Sequence, residues 1–514
     1  MITPVIEEIS AELCAEIIFE TIKDRPYSFF LDSACGCQRL GRFSFLGCDP
    51  FLVFKCRQDD IALEWPDGRT ENFNANPFLA LKSILKRYAV VRNREGLPFT
   101  CGAVGYFGYG LKNFVEDLPD NPADDLRIPD SALGFYDTVV ICDNLSGKRY
   151  IASSGLPETD PVRNIRRQKE RIEEFKYRLF SSAGSAFGET SPRSGGPEPG
   201  EKGFAEIPSP RLKSNFSGAS YMKAVEKAKN YIRKGDIYQV NLSQRFEAEL
   251  DMTPFELYSR LRRLSPAPFS AYLDFKDAVI ASSSPERFLL KKRDYVETRP
   301  IKGTRPRGKD ALDDLLMEKE LIASPKDRAE HIMIVDLERN DLGRICRYDS
   351  VRVVESVILE KYANVFHLVS TVAGRLKKGI DPIDCFLAAF PGGSITGAPK
   401  IRAMEIIDEL EPVRRSVYTG AIGYISFDGG MDTSIVIRTF IIKGRTAYFQ
   451  VGGGIVADSD PEKEYEETLD KAKGLMLALG GSARVMGSSC SKFPLPFRGE
   501  GKGEGMALGP TREE

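Results

Sequence analysis

The chain has 514 residues, 42% of them hydrophobic, and its 72 basic and 74 acidic side chains leave a net charge of −2. This length exceeds what one compact core ordinarily holds and predicts two or three domains. The balanced charge gives no basis for nonspecific attraction to nucleic acid or an anionic membrane, and no apolar run approaches the roughly 20 residues of a membrane span.

The N-terminus, MITPVIEEIS, is acidic rather than signal-like. Residues 1–180 alternate β-rich runs at Tyr27–Leu31, Phe43–Leu46, Phe51–Lys55 and Thr138–Cys142 with one or two helices, ending in the charged helix Asp160–Leu179. Residues 181–214 are rich in Gly, Ser, Pro and Glu, lack hydrophobic periodicity, and read as a flexible linker. In the next region, 215–480, Tyr221–Lys234 reads as a helix closed by Gly235. Strands are predicted at Ile237–Phe246, Ala278–Ser282, Val351–Leu359, Gly420–Ser426, Thr433–Ile442 and Thr446–Val451. Helices are predicted at Leu312–Ser324, Asp327–Leu342, Ile383–Ala389, Gly397–Glu409 and Pro461–Leu479. Residues 481–514 are polar and Gly-rich and read as a disordered tail. Hairpin-like groups of strands separated by helical groups predict an α+β fold, with antiparallel β-sheets packed as a sandwich under covering helices.

Ten cysteines are unremarkable in this length. Cys101, Cys142 and Cys385 sit in apolar runs, and Cys35 and Cys37 are too close for an ordinary bridge. Reduced thiols in a cytosolic protein are expected. No Cys/His spacing resembles a zinc site.

Several stretches could carry chemistry. Lys302 lies among Arg299, Arg305 and Arg307, between Pro300 and Pro306 and beside Gly303. Like charges at that density disfavour the ammonium and would leave part of the lysine as a neutral nucleophile, although a solvated basic loop has the same composition. Glu464, Glu467 and Lys471 share one helical face, and Asp327 and Glu330 share another. Two such carboxylate pairs could hold a hard divalent cation, or could each be a solvated helix face. Gly452, Gly453 and Gly454 follow an apolar strand and could offer backbone N–H groups to an anion, or form a tight turn. The run Phe390–Lys400 is Gly-rich but lacks the Gly-Lys-Ser/Thr ending of a phosphate loop.

Taken in order, GDIYQVNLSQRF (235–246), SSPERF (283–288), PIKGTRPRG (300–308), DRAEHIMIVDLERNDLGR (327–344), VFHLVSTVAGRL (365–376), FPGGSITGAPKIRAMEIIDELEP (390–412), YTGAIGY (418–424) and VGGGIVADSDPEKEYEETLDKA (451–472) resemble the chorismate-utilising enzymes. The resemblance is weaker over residues 29–50. It implies an anthranilate synthase component I-like fold with chorismate as substrate. It also implies Mg²⁺ held by Glu330 and Glu467 with Glu464 and Asp327 nearby. The implied substrate contacts are Arg438, Tyr418, Lys471 and the Gly452–Gly454 backbone on the enolpyruvyl carboxylate, Gly303 and Thr304 on the ring carboxylate side, and Thr396 on the ring face. Glu286 would be the general acid for the departing C4 hydroxyl, assisted by His367. His331 would be structural.

Gln239 stands where water-adding members carry a lysine base, which disfavours isochorismate chemistry. Lys302 stands where anthranilate synthases carry alanine and aminodeoxychorismate synthases typically carry lysine, and Pro266-Ala267-Pro268-Phe269-Ser270 leans the same way. The aminodeoxychorismate-forming branch, with Lys302 as covalent nucleophile, is therefore expected, and the anthranilate-forming branch is the alternative. No cysteine lies in a Gly-x-Cys-x-Gly setting, so a separate glutamine amidotransferase subunit is expected to supply ammonia.

Overall fold

Two large β-sheets organise the chain, and each takes strands from both ends of the sequence. The computed structural model describes residues 2–10, 14–34, 40–93, 95–186, 211–480 and 484–486. The first sheet has 13 strands. It runs from Val5–Ile9 through Arg149–Ser153, Thr138–Asp143, Phe43–Gly47 and Phe29–Asp32 into Phe269–Phe275, Ala278–Ser284, Thr439–Lys443, Thr446–Ile455 and Gln239–Glu249. Arg211–Ser214 and Arg484–Met486 complete that edge, and Gly397–Ala398 pairs beside Gln239. The second sheet has 12 strands. At one end Ile301–Pro306 pairs with Val365–Arg375, and at the other lie strands from residues 52–74. Among the described strands every pairing is antiparallel except that of Arg211–Ser214 with Arg484–Met486.

The sheets pack face to face through a layer that includes Phe29, Phe45, Val104, Tyr106, Tyr136, Ile280, Tyr424 and Ile441. Their outer faces are covered by helices. Ile172, Phe175, Leu257, Tyr258, Ala472 and Leu475 pack over the first sheet, and Phe78, Leu81, Val335, Leu342 and Phe386 over the second. This is the predicted α+β sandwich, with alternating side chains feeding the shared core and the covering helices.

The sequence division at 181–214 does not divide the sheets. The helix that precedes it spans Pro161–Ala186, and Arg211–Ser214 is a strand paired to Gln239–Glu249. Residues 187–210 lie outside the described residues. So does the predicted tail apart from Arg484–Met486, which is a strand. Cys35 and Cys37 also lie outside; the seven described cysteines are free thiols. Among the described residues no helix is long and apolar enough to cross a membrane.

Two local expectations change. The run Thr433–Ile442 reads as one strand because Ile, Val and Thr dominate it. Instead Met431–Ile435 belongs to the second sheet and Thr439–Lys443 to the first. The crossing is made at Arg438, whose φ of 54° turns the backbone out of extended geometry. The Gly452–Gly454 triplet is neither a turn nor a strand end. It lies inside Thr446–Ile455, paired to Ser243, Leu242 and Asn241. Packing explains the glycine at 454, where a Cβ would stand 2.1 Å from Gln239 Nε2.

Candidate functional site

Lys302 comes from the strand Ile301–Pro306, opposite Leu368. It is therefore half-buried in a sheet and not on a surface loop. The arginines around it in sequence are occupied elsewhere: Arg299 pairs with Glu360, Arg305 with Glu320 and Asp327, and Arg307 with Asp314. Their charge is not what disfavours the ammonium. Burial does so first, opposed by Glu330, and Lys471 adds to it; together these hold the Lys302 amine below the ordinary lysine range. Among the described residues the Lys302 Nζ makes no hydrogen bond or ion pair, so that nitrogen is uncommitted.

Glu286 sits between the strands Ala278–Ser284 and Arg287–Lys292 and is 4% exposed. Its Oε1 accepts from Ser394 Oγ at 2.5 Å and from the Ile301 N–H at 3.4 Å, the residue next to Lys302. Arg287 does not pair with it, being held by Glu297 and Asp432 at 2.7 and 2.9 Å. Burial pushes Glu286 up to about 7, against the opposing effects of Ser394 and Lys302. Such a carboxyl can carry a proton at neutral pH and release it to a leaving group.

On Val365–Arg375, the His367 Nδ1 lies 2.8 Å from Thr304 Oγ1, and its ring packs edge-on against Tyr362 at 5.4 Å. Burial first, then Arg438, push it down to about 3, which favours the neutral imidazole. Its charged neighbours are Arg438 and Lys471, which places it on the cationic side of the site. Among the described residues its side-chain hydrogen bond is to Thr304 and not to Glu286. His331 is buried at 0% exposure against Ser370 Oγ at 2.6 Å, consistent with a structural role.

Arg438, at the crossing between sheets, donates to the Lys471 carbonyl. Burial lowers its proton affinity, and no carboxylate among the described residues forms an ion pair with it. A buried guanidinium without a carboxylate is suited to receive one from a ligand. Tyr418 lies near enough for the two groups to influence each other's titration. Lys471 Nζ donates to the Gly452 carbonyl at 2.9 Å and pairs with Glu467 at 2.6 Å. Thr396 is fully buried, and its hydroxyl donates to the Gly392 carbonyl at 3.0 Å.

The carboxylate pairs project from the helices Pro325–Ile345 and Pro461–Ala478. Glu464 accepts from Ser459 Oγ at 2.6 Å through Oε1, while its buried Oε2 has no partner. That orphan oxygen would lie 3.2 Å from a Cβ at position 453, and Glu467 Oε1 3.5 Å, so Gly453 leaves open the space the two carboxylates border. Burial raises both Glu464 and Glu330, and Glu330 also responds to Lys302 and Glu467. Asp327 gives one oxygen to Arg305 at 3.0 Å. Among the described residues no three potential ligands already converge as a metal cluster. The all-oxygen donor set with an orphaned buried oxygen nevertheless fits a hard divalent cation.

Sequence reasoning did not single out Ser394 or Glu338, although both lie in quoted stretches. A short hydroxyl in a Gly-rich turn and an acid within Asp336–Asp341 carry no spacing signal of their own.

The family model described as chorismate binding enzyme matches residues 28–477. Anthranilate synthase component 1 of Acetivibrio thermocellus is 38% identical over 496 residues, covering 94% of this chain and 96% of that protein. The Aquifex aeolicus protein of the same name is 39% identical over 465 residues, covering 90% and 91%. Among solved structures, anthranilate synthase component I from Streptococcus pneumoniae superposes with a TM-score of 0.71 at 33% identity, over 85% of this chain and 92% of that one. The menaquinone-specific isochorismate synthase of Escherichia coli shares the fold, with a TM-score of 0.68 at 18% identity over 93% and 95% of the two chains. The relatives thus carry the name of the alternative branch, and not that of the branch expected from Lys302. On the family itself, motif order, sandwich and matched length agree, and the chain belongs to the chorismate binding enzymes.

Proposed function

We propose that this chain is the chorismate-aminating component of an aminodeoxychorismate synthase, acting through a covalent Lys302 intermediate. The observation that carries this reading is Lys302 itself: an uncommitted, half-buried amine with lowered proton affinity, next in sequence to a residue that touches Glu286. The Lys302 nitrogen would bond to C2 of chorismate while the ring double bonds shift and the C4–O bond breaks. Glu286 would give its proton to the departing oxygen, which leaves as water. Ammonia would then bond to C4, the double bonds would shift back, and the Lys302 nitrogen would be expelled from C2, giving 4-amino-4-deoxychorismate.

Arg438, Lys471 and Tyr418 would hold the enolpyruvyl carboxylate, and Gly303 and Thr304 would line the ring carboxylate side. Mg²⁺, held by Glu330, Glu464 and Glu467 with Asp327 as an outer contact, would supply a Lewis acid at the ring carboxylate. Ammonia would come from a separate glutamine amidotransferase subunit, since no cysteine has the expected nucleophile setting.

One observation favours a second reading. The relatives at 38 and 39% identity are both named anthranilate synthase component 1, so C2 amination is the alternative. Chorismate, Mg²⁺ and ammonium decide between them. The proposal expects 4-amino-4-deoxychorismate by mass spectrometry, without the fluorescence of anthranilate, and a Lys302 adduct when ammonium is left out. Lys302→Ala should lose the product by about two orders of magnitude or more, as removal of a covalent nucleophile does. Anthranilate as the main wild-type product, or undiminished aminodeoxychorismate from Lys302→Ala, would reject the reading.

A further inference from the structure

Glu338 is 2% exposed on the inner face of Pro325–Ile345, and the chemistry above does not use it. Its Oε1 accepts from the Gly393 N–H at 3.1 Å, and its buried Oε2 has no partner. Gly393 opens the short turn Gly393–Ile395, whose middle residue is Ser394. The Ser394 hydroxyl is the group 2.5 Å from Glu286 Oε1. A second helical face thus reaches Glu286 through one turn and two hydrogen bonds.

We propose that Glu338 is a positioning residue: its contact with Gly393 fixes the turn that aims the Ser394 hydroxyl at Glu286. This rests on the assignment of Glu286 as the acid. The charged groups that face Glu338 are Asp341 on its own helix, Lys400 from Lys400–Leu410 and Glu286 from the strand connection. Lys400 is bonded to Asp341 and to the Ala389 carbonyl, and Arg344 faces Asp341. Its one cationic neighbour is thus already committed, and burial raises the proton affinity of Glu338. The charge of an ionised Glu286 raises Glu338 further.

Two variants in the full chain test this, with ammonium as nitrogen donor. Glu338→Gln keeps the shape and an acceptor for Gly393 but removes the ionisable group. Its kcat and chorismate KM should both stay within about twofold of the wild type, because the contact with Gly393 is kept. Glu338→Ala should lower kcat by roughly tenfold with KM little changed, and combining it with Ser394→Ala should cost no more than the worse single change, because both act through one contact. A kcat loss in Glu338→Gln as large as that in Glu338→Ala, or additive losses in the double variant, overturns the proposal. Glu286→Gln separates this failure from a failure of the underlying reading. If Glu286→Gln remains active, the acid assignment itself falls. If Glu286→Gln is inactive and either overturning result appears, only the role of Glu338 falls.

Discussion

Burial gives Glu286 its proton near neutrality, and the same burial costs stability once the group ionises. In the unfolded chain it titrates near the ordinary 4.5, and in the fold near 7. Between those values the folded state binds more proton than the unfolded one, so stability falls as pH rises through the window and stays lost above it. Glu286→Gln has no such charge. It is expected to equal the wild type in stability near pH 4 and to exceed it at pH 8 by roughly 2–4 kcal/mol, while losing activity. Urea unfolding of both proteins at the two pH values checks this; equal stability at pH 8 would mean the carboxylate is better solvated than its surroundings allow. Lys302 shows how much of a residue's chemistry was legible. Its candidacy could be read from PIKGTRPRG, but the cause of its altered amine could not. Arg299, Arg305 and Arg307 crowd it in sequence and face carboxylates in space, a pairing set by strands and helices up to 61 positions away.

At the scale of elements, the glycine triplet separates two roles that look alike in the sequence. A Cβ at Gly452 would stand 2.5 Å from the Leu242 carbonyl oxygen, so Gly452→Ala must push apart two paired strands. A loss of roughly 2 kcal/mol or more in urea unfolding is expected. At Gly453 the nearest atoms are carboxylate oxygens at 3.2 and 3.5 Å, which can give way. Gly453→Ala should therefore unfold much as the wild type does and instead raise the Mg²⁺ concentration needed for half-maximal activity, several-fold or more. Wild-type metal dependence in Gly453→Ala would remove Glu464 and Glu467 from the cation site. Most helices of the second half were legible but their ends were not: the helix expected from Tyr221 starts at Gly218 behind the Ser217 capping box, and Pro254–Leu264, boxed by Thr253, was not expected at all. Partners of strands were not, since pairing joins Thr446–Ile455 to Gln239–Glu249 across some two hundred positions of sequence.

For the whole molecule, the mixing of both sequence halves in each sheet predicts how the protein comes apart. Residues 1–186 supply one end of the first sheet, but the strand Phe29–Asp32 needs Phe269–Phe275 beside it. Gly102–Phe107 likewise needs Ala421–Ser426. Expressed alone, residues 1–186 should give no cooperative unfolding transition, while the full chain should melt in one step seen alike by far-ultraviolet circular dichroism and tyrosine fluorescence. A stable, cooperatively melting 1–186 fragment would contradict the interleaving. Fold class could be read from composition and hairpin grouping, but interleaving could not, because no short-range pattern records which edges meet. The crossing at Arg438 carries a consequence for anyone improving this protein. A left-handed backbone disfavours a long side chain, so redesign for heat resistance would offer glycine or asparagine at position 438 as a gain. Acceptance would yield a hardier protein that has given up its buried, carboxylate-free guanidinium, and a screen scored on melting temperature alone would select it.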